Sequence, residues 1–331
     1  MINLEREVLK MKAVVFDNEL KYVSDYAKPV PARGEALIKV LIAGICNTDY
    51  EITKGYMGYK GILGHEFVGI VEEINDTDKS LLNKRVVSEI SYGCKKEGCE
   101  WCAVKNYRHC PDRKTLGIVN KDGCFAEYIT MPLDVLFEVP ENVETEQAVF
   151  VEPLAAACEI TEQLHIDPSK KVLVLGDGKL GLTVALTLHS QNLDVLLVGK
   201  HRNKLDIASA QGVKTELLEN LEIKKNYDVV VEATGTASGF ETSLALTKPR
   251  GVLVLKSTVA SSKELNLAPI VIDEITVLGS RCGQFKPALR LLENKRIDFK
   301  PFISAVYNIE DCIEAFEKNK SKESVKVLIK M

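Results

Sequence analysis

Short apolar or alternating runs open the chain: KAVVF from Lys12, EALIKVLIAGI from Glu35, GHEFVGIVEEI from Gly64, KRVVSEI from Lys84 and FAEYITM from Phe125. Turn residues such as KPVPARGE, ending at Glu35, separate them. Period-two alternation broken by Pro and Gly predicts strands, so the first third reads as all-β. After about residue 150 the rhythm changes. KKVLVLG, LDVLLVG, YDVVVEATG and GVLVLK are Val- and Leu-rich runs without alternation, and helix-length segments such as KLGLTVALTLHSQN and RNKLDIASAQG fall between them. Strands apolar on both faces, alternating with helices, predict a parallel sheet covered on both sides. The tail predicts a helix over NIEDCIEAFEKNK and a last strand, VKVLIK. The boundary between the β-rich and the α/β parts falls near Glu152–Pro153. No internal repeat or low-complexity tract is present, and the stretch before Met11 carries no assignment.

A length of 331 residues leaves room for two domains. The net charge of −4 gives no broad cationic field, which argues against nucleic acid or an anionic membrane as partner. The opening MINLEREVLKMKAVVFD is charged too early for a signal peptide, and no apolar run reaches membrane-spanning length. The expected compartment is the cytoplasm, where thiols stay reduced. A tight cysteine cluster there reads as a metal site rather than as disulfides.

The cluster is GCKKEGCEWCAVKNYRHC, with Cys94, Cys99, Cys102 and Cys110 out of nine cysteines in all. Four thiolates complete the tetrahedron of Zn²⁺ and leave no position open for a substrate. They predict a structural brace, and the chemistry must lie elsewhere. Cys46, His65, Glu66 and Glu152 together offer thiolate, imidazole and carboxylate, a mix that suits a catalytic Zn²⁺. Spacing alone does not show that they converge.

KVLVLGDGKLG places Gly176, Gly178 and Gly181 after a strand and at a helix start, the context that G-x-G-x-x-G requires to hold a pyrophosphate. The second strand ends in Gly199 where an acid would bind the ribose, and Lys200, His201 and Arg202 follow. This pattern predicts NADP over NAD. The bland alternative is a solvated basic helix start. Asp177 stands too early in the chain to be read as the ribose acid.

With GICNTD, GHEFVGIV, the four-cysteine lobe, VEPLAAA, VLGDGKLG and VEATG in this order, the chain resembles the zinc-dependent medium-chain dehydrogenases/reductases of the alcohol, polyol, sugar and threonine type. The resemblance implies a GroES-like β-barrel catalytic domain over residues 1–152, with the zinc lobe at about 93–111. It implies an inserted Rossmann domain with a doubly wound parallel sheet over residues 153–284, and a return to the catalytic domain over residues 285–331. It makes Cys46 and His65 zinc ligands, Glu66 a third, and Glu152 a direct or water-mediated one. Asp49 would orient His65, although a helix-capping role is equally open to it. Thr48 would take the alcohol proton, and Glu51 stands where alcohol dehydrogenases carry the histidine that ends the proton path. Lys179, Leu180 and Thr234 would join the glycines at the cofactor, with Lys256, Ser257 and Thr258 near the nicotinamide. Residues 279–283 would close the nucleotide domain.

Asn75 stands in place of a usual glycine, which left-handed backbone angles would allow. Cys124, Cys158, Cys282 and Cys312, like His109, His165 and His189, are expected to be structural or exposed. The implied activity is hydride transfer between a polyol, sugar or secondary alcohol and NADP or NAD, in a homodimer or homotetramer joined at the Rossmann sheet edge. A nucleic-acid-binding zinc module conflicts with the acidic charge. A zinc-free reductase or non-enzymatic relative has no need of the Cys46, His65, Glu66 and Glu152 set.

Overall fold

The alternating runs of the first third become β1 (Lys10–Asp17), β2 (Glu19–Ala27), β3 (Glu35–Gly44), β4 (Gly61–Ile62), β5 (Glu66–Ile74), β6 (Arg85–Ser88), β7 (Ser91–Tyr92), β8 (Lys114–Thr115), β9 (Tyr128–Pro132) and β10 (Leu136–Glu138). The computed structural model describes residues 9–257 and 265–331. β3 is the hub of this part, pairing antiparallel with β5 and β9. That central place explains why Lys39 is the one exposed position along β3 where simple alternation would expose half of them.

The second part supplies β11 (Lys171–Leu175), β12 (Asp194–Gly199), β13 (Lys214–Leu217), β14 (Tyr227–Glu232), β15 (Thr247–Leu255) and β16 (Thr276–Gly279). They form one parallel sheet in the order β13-β12-β11-β14-β15-β16. The order reverses between β11 and β14, the switch point where doubly wound sheets bind dinucleotides. Leu173, Leu175, Val198, Val230 and Leu253 form its core with Phe240, Leu244 and Leu246 of the helix Ala237–Leu246. Each such side chain contributes about 1.5–3 kcal/mol by leaving water.

The chain then returns to the first sheet as β17 (Ile303–Asn308) and β18 (Lys326–Lys330), with the helix Cys312–Lys320 between. β18 pairs with β3 and completes a seven-stranded sheet. The two compact units are Met1–Glu152 with Ile303–Met331, and Pro153–Phe302. The return therefore comes at Ile303 and not at 285. Residues 285–302 stay with the nucleotide unit because the Arg296 guanidinium donates to Ser190 O at 2.6 Å, and Gln211 exchanges hydrogen bonds with the Asp298 backbone at 2.9 Å each way.

Asn75 is not among the left-handed residues. Its side-chain amide donates to Pro31 O at 2.9 Å, and its carbonyl accepts Gly34 N–H at 2.8 Å. It replaces glycine by bonding the neighbouring turn, not by adopting positive φ.

Candidate active site

Cys46 leaves the end of β3 and immediately precedes the helix Asn47–Thr53. Asp49, fully buried in that helix, bonds in two directions. Its Oδ2 accepts Cys46 N–H at 2.8 Å, and its Oδ1 accepts Gly64 N–H at 3.3 Å and faces His65 Nδ1 at 3.5 Å. Asp49 thus caps the helix and turns toward His65. The capping role is met by the bond to Cys46 N–H, and the 3.5 Å approach leaves Asp49 in reach of the His65 ring.

His65 and Glu66 are buried at the start of β5. One ligand atom from each of Cys46, His65 and Glu66 lies within 4.8 Å of the others. His65 Nδ1 is buried without a hydrogen-bond partner among the described residues. A metal at one ring nitrogen would draw the other onto Asp49 and satisfy it, so the donor set fits a zinc ion. Burial pushes the His65 pKa down, but the Asp49 carboxylate and then Cys46 outweigh it and leave it well above the ordinary value. Gly44 is required here: a Cβ would sit 2.7 Å from Glu66 Oε2 and 2.9 Å from Val149 Cγ1.

Glu66 also has a partner that sequence reasoning missed. Lys326, in β18, is 1% exposed and its Nζ donates to Glu66 Oε2. Pairing of the tail strand with β3 continues to Ile45 N–H on Val327 O at 3.0 Å, which sets Lys326 beside Cys46. Burial lowers the Lys326 pKa, but Glu66, then Cys46 and Glu152, raise it above normal, so it stays an ammonium. The signal was a lysine inside the apolar run VKVLIK, at a position that the strand buries. Glu152 lies outside the close group of three. Thr48 Oγ1 is 3.7 Å from Cys46 Sγ. Glu51 pairs with Lys54 at 2.9 Å and its side chain is 45% exposed.

The cysteine lobe brings Cys94, Cys99, Cys102 and Cys110 within the same 4.8 Å limit. Sγ separations are 4.0 Å for Cys94–Cys102 and 3.8 Å for Cys99–Cys110. A disulfide would need about 2.05 Å. A tetrahedron with Zn–S of about 2.3 Å has edges of about 3.8 Å. Four residues separate Cys94 from Cys99; left-handed Lys95 (φ 53°) and Gly98 (φ 78°) turn the chain between them, and Cys94 lies with the other three. Backbone N–H donation, led by Cys94, pulls the Cys110 thiol down to about 7 against the effect of burial.

At the nucleotide loop each glycine meets a distinct demand. Gly176 has φ 120°, and a Cβ on it would meet Ala233 O at 2.7 Å. Gly178, before the helix Lys179–Ser190, has no atom within 4 Å of a Cβ and leaves the backbone open to a pyrophosphate. A Cβ on Gly181 would lie 1.8 Å from Gly176 O. Lys179 and Leu180 open the same helix. Thr234 bonds Glu232 Oε1 through N–H at 2.7 Å and through its hydroxyl at 2.6 Å. Glu232, buried at the end of β14, therefore shapes the VEATG turn and was a second omission.

Lys256 spends its ammonium on Ala156 O at 2.6 Å and Arg281 O at 2.8 Å, which reads as a brace. Ser257 Oγ accepts Gly235 N–H at 2.9 Å. Thr258 lies outside the described residues. β16 ends at Gly279 and residues 280–283 follow it, but they do not close the nucleotide unit, which runs on to Phe302. Gly199 has no carboxylate of its own, but Asp177 reaches it. Its Oδ2 accepts Lys200 N–H at 2.7 Å and His201 N–H at 2.6 Å. The expectation that no acid stands at this strand end is corrected: the acid comes from the preceding turn.

Residues 32–141 match the family described as alcohol dehydrogenase GroES-like domain, and residues 145–331 match the family described as glucose dehydrogenase C-terminus. Sorbitol dehydrogenase of Halalkalibacterium halodurans is 28% identical over 93% of this chain and 94% of its own. D-arabinitol dehydrogenase 1 of Uromyces fabae is 29% identical over 91% of each. A solved structure from Sinorhizobium meliloti 1021, described as a zinc-binding dehydrogenase bound to NADP, is 25% identical with a TM-score of 0.89, covering 98% of this chain and 100% of that one.

Proposed function

The chain belongs to the zinc-type medium-chain dehydrogenase/reductase family, and from that premise we infer an NAD(P)-linked alcohol or polyol dehydrogenase with its reactive metal on Cys46, His65 and Glu66. The convergence of those three side chains within 4.8 Å carries the reading. Zinc held there would supply a Lewis acid for the substrate oxygen, while the nicotinamide takes the hydride.

The chain's own residues prepare that step. Asp49 sets the Cys46 backbone and faces the His65 ring. Lys326 balances the Glu66 carboxylate where no water reaches it. Thr48, beside the Cys46 sulfur, is assigned the substrate hydroxyl proton, and exposed Glu51 the solvent end of the path. Glu152 acts from outside the close group, through water. Gly176, Gly178, Lys179, Leu180 and Gly181 hold the pyrophosphate, with Thr234 beside them. Cys94, Cys99, Cys102 and Cys110 hold a structural zinc.

The named relatives support a polyol or sugar alcohol as substrate. No helix among the described residues is long and apolar enough to cross a membrane. We place the chain in the cytoplasm, where the thiols of the cysteine lobe would stay reduced for a metal. We also assign a homodimer or homotetramer, supported by exposed Leu267, Val271 and Ile272 next to the edge strand β16; light scattering reads this directly.

The function is tested by a panel of polyols, aldoses and secondary alcohols, offered with NAD and NADP to zinc-loaded protein. Turnover should appear with at least one polyol or sugar. A panel that reduces neither cofactor while the metal is bound would contradict the assignment.

A further inference from the structure

Dinucleotide-binding sheets carry the ribose acid at the end of their second strand. That strand is β12, and it ends in Gly199. A Cβ at Gly199 would lie 2.4 Å from Asp177 Cβ and 2.4 Å from Asp177 Oδ2. Gly199 is therefore the space that another carboxylate occupies. Asp177 arrives from the turn after β11, between Gly176 and Gly178, and is 8% exposed. Its Oδ2 accepts the N–H groups of Lys200 and His201, and His201 Nδ1 lies 3.0 Å away.

Adjacent N–H groups and a ring nitrogen of this kind make an anion site. Of the three side chains that the sequence offered to a 2′-phosphate, that of His201 already faces Asp177. The chain has filled the site with its own anion. We infer that Asp177 does the work of the missing ribose acid and sets a preference for NAD over NADP, reversing the expectation drawn from Gly199 to Arg202. This rests on the NAD(P)-linked reading above.

The cations nearby weigh on the other side. Lys200 and Arg202 are exposed on flexible, hydrated stems, so their pull on a phosphate is screened. Lys204 is buried, and burial pushes its pKa down while Asp177 supports its charge. A 2′-phosphate brings roughly two further negative charges against a fixed carboxylate. A 2′-hydroxyl brings a donor that the same carboxylate can accept.

The test is equilibrium binding, by titration calorimetry on the full chain, of NAD and NADP to the natural protein and to Asp177→Asn. The natural protein should bind NAD about tenfold or more tighter than NADP, the factor expected from one like charge at partly screened range. Asp177→Asn keeps the size and one acceptor, and should shrink that ratio about tenfold, chiefly by tightening NADP. Natural protein that binds NADP as tightly as NAD, or an unchanged ratio in Asp177→Asn, would overturn the inference. If the variant fails to fold, 5′-AMP against adenosine 2′,5′-bisphosphate on the natural protein decides the same point: 5′-AMP must bind tighter. Failure of both dinucleotides to bind would overturn the cofactor reading itself, and this inference with it.

Discussion

Lys326 and Glu66 form an ion pair with each side chain 2% exposed. Two charges taken so far from water are held by each other, and removing one strands the other at a cost of about 3–5 kcal/mol. The metal-site reading adds a condition, because a zinc ion next to Glu66 is a second cation for the same carboxylate. Lys326→Met should therefore destabilise chelator-treated protein by about that amount, and zinc-loaded protein by clearly less. Denaturant unfolding with and without zinc measures both. Equal losses would show that Glu66 does not meet the metal.

At this scale much was legible in the sequence. Cys46, His65 and Glu66 declared themselves by residue type and local motif. Their convergence did not, because it depends on β3 and β5 pairing from Gly44 with Glu66 onward. Asp177 was present in the motif, but its bonds to residues more than twenty positions on are not a property of the motif. The glycine at 199 was legible, while its physical reason, the room it leaves for Asp177, was not.

Among the elements, the cysteine lobe is the one least able to hold itself. Its regular structure is the helix Glu100–Ala103, a short 3₁₀ turn and the two-residue strands β7 and β8. Trp101 and Val104 are exposed, and of the four cysteines only Cys110 is buried. So little packing makes the proposed structural zinc the natural source of order. Cys99→Ser should make the lobe the first site of tryptic cleavage, at Lys95, Lys96, Lys105 or Arg108, with the nucleotide sheet still intact. Mass spectrometry of a limited digest reads this. Cleavage matching the natural protein would mean that the lobe does not depend on the metal. The strands and helices of the parallel sheet were legible from their unbroken Val and Leu runs. The lobe's fold was not, since neither the left-handed turn at Lys95 nor the short helix leaves a periodic pattern.

For the whole molecule, the chain's order along its length matters more than any single element. β18 comes from the last residues, yet it lies against β3 and delivers Lys326 to the residues around Cys46. The tail strand thus contributes to the candidate metal group of the first unit. The second unit is complete within Pro153–Phe302, with its glycine loop and Asp177 both inside it. Loss of the reactive metal should consequently leave dinucleotide binding untouched.

The most direct measurement is zinc per chain in the natural protein and in Cys46→Ser, with NAD and NADP binding followed on the same samples. The account predicts two zinc ions falling to one, turnover lost, and nucleotide binding retained. Cys46→Ser protein that keeps both ions and its activity would contradict it.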